Sequence, residues 1–110
     1  ILPFIFEDDV YISRKERKPM SYYLGESFSA PRIFNFHPQH LFLNTSSPDL
    51  YEESKPYYKE YNRLLGFRNA NAPGIRDFFL ELVALAKEQG YVFRTISEGV
   101  WHIETCEEGN

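Results

Sequence analysis

The chain of 110 residues has few of the residue types on which several functional classes depend. It contains one cysteine, Cys106, so an intrachain disulfide is excluded, and so is a zinc site built on paired cysteines. Basic residues number 12 against 16 acidic ones, whereas proteins that bind nucleic-acid backbones usually carry a basic excess. No apolar run approaches the roughly 18 residues that a membrane-spanning helix needs. We therefore expect neither nucleic acid nor a membrane as a partner.

Hydrophobic and aromatic residues, in contrast, are plentiful. They make up 43% and 17% of the chain, which is sufficient for one packed domain over residues 1–110. The sequence opens at Ile1 inside an apolar run, with no initiator Met and no signal-peptide pattern. We therefore expect a piece of a longer fold or a processed product. Residues 99–110 are polar and acidic, and predict a flexible tail.

Two short apolar runs predict strands that end in polar residues. Residues 1–6 lead into three consecutive acids, and residues 32–36 lead into His37, which Pro38 holds in extended geometry. The carboxyl ends of parallel strands lie at the same edge of a sheet. We therefore expect the two strands to be neighbours and to form one polar rim, defined here as Glu7, Asp8, Asp9 and His37.

The rest of the chain is predicted to contain two helices and a third strand. Residues 13–31 show no sustained period and predict a loop with at most one short helical piece. Apolar spacings of three and four predict a short helix over 57–66, ended by its glycine, and a longer one over 75–89. Residues 91–96 predict a strand. This order is typical of an α/β fold with parallel strands covered by helices.

The three acids of the polar rim have several interpretations. Glu7, Asp8 and Asp9 are candidates for metal ligands, for a general base, or for a group that orients and charges a histidine. A solvated strand end would also explain them. The sequence does not rank the three.

The histidine of the rim gives a stronger indication of function. A titratable side chain that closes a hydrophobic strand favours a functional role for His37, with a structural histidine as the alternative. His40 lies three residues further on. A metal-binding pair of the two is disfavoured, because Pro38 is expected to prevent the regular helix that would bring both onto one face.

Three tyrosines in the helix over 57–66 form a further aromatic cluster. Tyr57, Tyr58 and Tyr61 could stack on sugar rings, which pack well against aromatic faces. Packing into a core is the interpretation that we favour from the sequence.

Four segments carry a resemblance to a known family. They are Phe6-Glu7-Asp8-Asp9, Ile33–Pro38 followed by Leu43-Asn44-Thr45, Gly74–Phe79, and Tyr91–Glu98. Together they resemble the C-terminal portion of the polysaccharide deacetylase, or NodB-homology, family over about residues 1 to 98. The resemblance implies a partial distorted (β/α) barrel with parallel strands and covering helices.

The resemblance also implies an activity. Members of the family remove acyl groups from amino sugars, or cleave related amide bonds, with a divalent metal held by an Asp-His-His set near the N-terminus. His37 would be the late catalytic histidine, the general acid that protonates the leaving nitrogen. Asp8 or Asp9 would be the carboxylate that tunes it. The implied partner is a carbohydrate or another acylated amide substrate.

One departure from the family pattern affects activity. The sequence has no early Asp-Asp pair and no His-x-x-x-His spacing, and its histidines are His37, His40 and His102. The resemblance therefore implies no metal site or cofactor in this segment, with zinc or a similar ion present only with the N-terminal half. The isolated segment is expected to be inactive, and an incomplete barrel could associate with a second copy. The alternatives are a non-catalytic glycan-binding or scaffolding remnant, or an unrelated small α/β interaction domain.

Overall fold

The computed structural model describes residues 5–25 and 32–94 of the chain. Its elements, in chain order, are β1 (Phe6–Glu7), α1 (Asp8–Ser13), α2 (Met20–Leu24), β2 (Phe34–Asn35), α3 (Pro38–Leu43), α4 (Pro48–Ser54), a 3-10 turn (Lys55–Tyr57), α5 (Tyr61–Gly66) and α6 (Ile75–Glu88). The predicted mixture of strands and helices is therefore confirmed. The predicted tail at 99–110 lies outside the described residues.

The two strands pair in parallel, as the sequence predicts. Phe6 lies opposite Phe34, and Glu7 lies opposite Asn35. Because the strands run in the same direction, the residues that follow them emerge at the same edge of the sheet. The predicted polar rim is therefore confirmed.

An aromatic core packs around the first strand. Its central ring, Phe6, lies 4.9 Å from the ring of Tyr11, 5.1 Å from Tyr23 and 5.0 Å from Phe36. Tilted and edge-on contacts of this kind add to the free energy gained by burying the rings. The buried cluster draws on β1, α1, α2 and α6, and its members are Phe6, Tyr11, Ile12, Met20, Tyr23, Leu24, Ile75, Leu82 and Ala86. The core therefore lies directly beneath the strand that leads into the rim.

Helix α6 confirms the prediction for 75–89 to within one residue. Ile75, Leu82 and Ala86 are buried on its apolar face. Gly90 follows in a left-handed conformation with φ of 85°, which only glycine adopts freely, and the chain turns there. Within the described ranges, every helix is too short or too polar to cross a bilayer.

Proline was misinterpreted at one position in the sequence. The expectation that Pro38 prevents a helix is wrong, because α3 begins at that residue. Proline fits the first turn of a helix, where the backbone N–H has no intrahelical acceptor in any case. Pro48 begins α4 in the same way.

The single helix predicted over 57–66 is in fact two pieces. A 3-10 turn covers Lys55–Tyr57, and α5 begins only at Tyr61. Glu60 separates them with φ of −111° and ψ of 89°, outside the helical region, and its carbonyl accepts the N–H of Leu64 as the new helix starts. The spacing of the apolar residues does not reveal this break in the backbone.

The strand predicted over 91–96 is wrong for the part that the structure describes. Residues 91–94 form no strand, and the remaining two lie outside the described residues. A strand needs a neighbour for its backbone hydrogen bonds, and the described sheet contains only β1 and β2. The hydroxyl of Tyr91 instead donates to the carbonyl of Leu24, while Val92 is 72% exposed.

The junction before α6 generates a prediction about stability. A Cβ atom placed on Gly74 would lie 2.0 Å from the backbone oxygen of Asn44, so the chain would have to move. Gly74→Ala should therefore lower the free energy of unfolding by about 1–3 kcal/mol, as overpacking commonly does. Urea denaturation of the purified chain measures this change.

A second glycine provides the control. A Cβ on Gly66 would meet no atom within 4 Å. Gly66→Ala should therefore change stability by less than about 1 kcal/mol. Equal unfolding midpoints for Gly74→Ala and the wild type would contradict the predicted clash.

Candidate functional site

The polar rim is formed where each strand passes directly into a helix. Asp8 and Asp9 are the first two residues of α1, where the positive end of the helix dipole favours carboxylates. His37 is the extended residue before α3, with φ of −92° and ψ of 135°. The parallel pairing of the strands places these two helix starts side by side.

Asp8 and His37 form a pair with two hydrogen bonds. The Asp8 side chain is fully buried, and its Oδ1 lies 2.5 Å from Nδ1 of His37. Its other oxygen, Oδ2, accepts the backbone N–H of His37 at 2.6 Å. Because a carboxylate only accepts, Nδ1 carries the proton and Nε2 is the ring atom left to meet a substrate. The His37 side chain is 30% exposed, so a substrate can approach it.

The pair changes the electrostatics of the histidine. The hydrogen bond to Asp8 raises the pKa of His37 above its ordinary value, and the charges of Asp8, Asp9 and Glu7 raise it further. Partial burial acts in the opposite direction, since it disfavours the charged ring. The net effect is a raised pKa of His37, so its imidazolium persists to higher pH than that of an ordinary histidine.

Asp9 has a different histidine partner. Its Oδ1 is hydrogen-bonded to Nε2 of His40, which is fully buried, and Nδ1 of that ring lies 2.9 Å from Oγ1 of Thr45. The second oxygen of Asp9 lies 3.6 Å from Nδ1 of His37. The two neighbouring acids are thus distinguished by geometry: Asp8 bonds His37 directly, and Asp9 bonds His40.

Sequence reasoning missed the part that His40 plays. The ring of His40, on the helix α3 that we expected Pro38 to prevent, lies 6.0 Å from the ring of His37 between centroids. The missed signal was the proline itself, because a proline after an extended residue is typical of the first position of a helix.

Asn44 is a second residue that sequence reasoning did not assign. It ends α3 in a left-handed conformation with φ of 53°. Its side-chain amide donates to Asp77 at 2.9 Å, and its side-chain oxygen accepts the backbone N–H of Arg76 at 3.0 Å. The hydrogen bond from Asn44 lowers the pKa of Asp77, helped by the backbone N–H of Gly74. These contacts join the end of α3 to the start of α6.

The aromatic cluster on and before α5 is not core. Tyr58 and Tyr61 are each 67% exposed, so the interpretation as core packing is wrong for them. Tyr61 stacks on Phe42 at 5.9 Å, and Tyr57 stacks on Phe67 at 5.5 Å. The rings therefore form surface pairs.

The rim contains groups that could gather around a metal ion. Asp8, Asp9 and His40, and separately Glu7, Asp9 and His37, bring possible ligand atoms within 4.8 Å of one another. However, Nδ1 of His37 and Nε2 of His40 are already bonded to carboxylates. Every buried side-chain nitrogen and oxygen in the described ranges has a partner. An ion held by Nδ1 of His37 or by Nε2 of His40 would have to displace these bonds, so these two ring nitrogens fit a metal poorly.

Comparisons with known proteins agree with the resemblance. The family model for WbmS-like polysaccharide deacetylases matches residues 1–55, half of the chain. A search of curated proteins finds no match.

A solved structure from Bordetella bronchiseptica is also similar. The protein is described as a polysaccharide deacetylase involved in O-antigen biosynthesis, and it shares 27% sequence identity with this chain, at a TM-score of 0.54. The match covers 76% of this chain and 34% of that one, so the chain spans about a third of that protein's length. The chain belongs to the WbmS-like polysaccharide deacetylase family.

Proposed function

We propose that the chain is the C-terminal part of a metal-dependent hydrolase that removes acyl groups from amino sugars or cleaves related amide bonds. The observation that carries this proposal is the buried Asp8 carboxylate bonded to His37 at the edge where two parallel strands end. Membership of a polysaccharide deacetylase family supports it. In the longer protein, β1 and β2 would be part of a distorted (β/α) barrel.

His37 acts as the general acid of this reaction. Its Nε2–H donates a proton to the leaving nitrogen as the tetrahedral intermediate collapses, so the nitrogen departs as a neutral amine. The ring then becomes neutral. Its remaining proton stays on Nδ1, hydrogen-bonded to Asp8. Asp8 therefore selects the tautomer, aims the ring and stabilises the charged form from which each turnover starts.

The remaining chemistry comes from outside the described residues. A divalent ion such as zinc, when bound, supplies an activated water and polarises the carbonyl. Asp8 and His37 already bond each other and Asp9 bonds His40, so we assign the ligands of this ion to the N-terminal half of the longer protein. The segment alone would then be inactive, with an acylated carbohydrate as the partner of the whole enzyme.

A non-catalytic glycan-binding piece is the second candidate. The observation that favours it is the exposure of Tyr58 and Tyr61, whose rings could pack against sugars. The two functions differ in their response to His37→Ala, which would lower turnover in the first and leave glycan binding unchanged in the second.

The role of the general acid can be tested in the longer protein. His37→Ala should lower kcat by on the order of 10²-fold or more, the usual contribution of general acid catalysis. Metal content should stay near wild type, whereas the melting temperature should fall, because removal of the ring leaves Oδ1 of the buried Asp8 without its partner. Gln39→Ala, two residues further on in α3, is the matched control and should keep wild-type kcat. Full activity of His37→Ala, or its failure to fold, would contradict the assignment.

The raised pKa of His37 can be tested by NMR titration of the 110-residue chain. Asp8→Asn should lower this pKa the most, because it weakens the largest cause, and Glu7→Gln should lower it the least. In the longer protein, Asp8→Asn should shift the pH–rate profile to lower pH. Equal pKa values of His37 in the wild type and in Asp8→Asn would contradict the pairing of Asp8 with His37.

The same pair makes folding stability depend on pH. Because the folded pKa of His37 is raised, its contribution is fully present below the unfolded value of about 6.5 and is lost as pH rises through the folded value. The stability advantage of the wild type over Asp8→Asn should therefore shrink across that window. Urea denaturation at a series of pH values measures this difference in the free energy of unfolding. A difference that grows as the pH rises would contradict the prediction.

Metal binding by this segment alone should be weak. A hydrolytic zinc site normally takes three protein ligands, and here one ring nitrogen of His37 and one of His40 are bonded to carboxylates. Calorimetric titration with zinc or nickel should find a Kd no tighter than micromolar. A stoichiometric submicromolar site that disappears in His40→Leu would instead show that the rim holds the ion.

A further inference from the structure

His40 is a buried titratable group that the proposed acid step does not use. Its ring is fully inaccessible, and both of its nitrogens have partners, Thr45 on one side and Asp9 on the other. The ring of Tyr51 packs edge-on against it at 4.8 Å. The imidazole is therefore held in one place and one orientation.

The direction of these hydrogen bonds follows from the chemistry of the groups. A carboxylate only accepts, so Nε2 of His40 carries its proton toward Asp9. In the neutral ring, Nδ1 then accepts from the hydroxyl of Thr45 at 2.9 Å. The backbone oxygen of Thr45 accepts the N–H of Ile75 at 2.9 Å. A continuous polar chain thus runs from the start of α6 to the carboxylate of Asp9.

Within this chain of polar contacts, the side chain of Asp9 depends on a hydrogen bond to stay in one position. Its side chain is 47% exposed, so without a buried partner it would sample several rotamers in water. The bond to His40 selects the rotamer that leaves the other carboxylate oxygen 3.6 Å from Nδ1 of His37. His37 therefore has one directly bonded carboxylate and a second negative charge at a fixed distance.

We propose that His40 is a positioning residue that, together with Thr45, fixes the carboxylate of Asp9 beside His37. This inference rests on the proposed function of His37 as the general acid. The second charge stabilises the imidazolium only when it stays close, because Coulomb attraction to an exposed group falls steeply with distance in water. A purely structural position could hold an apolar side chain of similar size, whereas His40 is bonded at both nitrogens.

The positioning can be measured by NMR on the complete 110-residue chain after treatment with a chelator. The three-bond Hα–Hβ couplings of Asp9 report whether its side chain keeps one rotamer. They should be unequal in the wild type and in His40→Gln, whose amide can still donate to Asp9. In His40→Leu they should become nearly equal, because the carboxylate is released to average over rotamers.

Thr45→Val keeps the test decisive if His40→Leu does not fold. This variant removes only the hydroxyl that orients the His40 ring, so the Asp9 couplings should move toward the averaged values. Wild-type couplings in Thr45→Val and in every folded His40→Leu sample would overturn the proposal. So would ordered Asp9 couplings that require added zinc.

A kinetic measurement in the longer protein separates positioning from folding. His40→Leu should lower kcat by up to about 10²-fold, the effect of misplacing a catalytic group, with KM near wild type. His40→Gln should recover most of the loss, and a change confined to KM would overturn the proposal. If Asp9 responds to His40 as expected but His37→Ala keeps full activity, the proposed function fails and the positioning of Asp9 stands.

Discussion

The carboxylate of Asp8 holds together the two chain segments that form the site. A buried carboxylate is costly unless hydrogen bonds or an opposite charge compensate its lost hydration. Here both of its oxygens are used by one residue, the backbone N–H and the ring of His37. Because Asp8 begins α1 and His37 precedes α3, this pair fixes the starts of two helices relative to each other. Removing the carboxylate would therefore disturb the protonation of His37, its tautomer and the junction of the strands together.

The short helix α3 follows directly after His37, carries His40 and is held at each end. Six residues are too few for a stable isolated helix, so its geometry must come from its neighbours. At its start, His37 is tied to Asp8. At its end, Asn44 bonds the first turn of α6, whose residue Ile75 is in the aromatic core. The ring positions at the site thus depend on packing far along the chain.

The sequence predicted the features that local pattern controls and missed those that tertiary contacts decide. Apolar runs ending in polar residues were sufficient to predict the parallel strands and the rim, and apolar spacing was sufficient for α6. The strand predicted over 91–96 is wrong in its described part, 91–94, because a strand depends on a partner that the described residues do not supply. Which of Asp8 and Asp9 is the partner of His37 depends on which carboxylate is buried. The sequence cannot reveal this, because the two residues are identical and adjacent.

The different roles of the two acids follow from helix geometry. Consecutive residues of a helix project about 100° apart, so Asp8 and Asp9 cannot face the same partner equally. His37 and His40, three residues apart across a helix start, present their rings on the same side. Two adjacent carboxylates therefore meet two spaced histidines and form two pairs, one with a buried carboxylate, Asp8, and one with a buried histidine, His40. For Asp9 to take the place of Asp8 beside His37, α1 would have to rotate about its own axis by more than a quarter of a turn. The buried contacts of Tyr11 and Ile12 oppose this rotation.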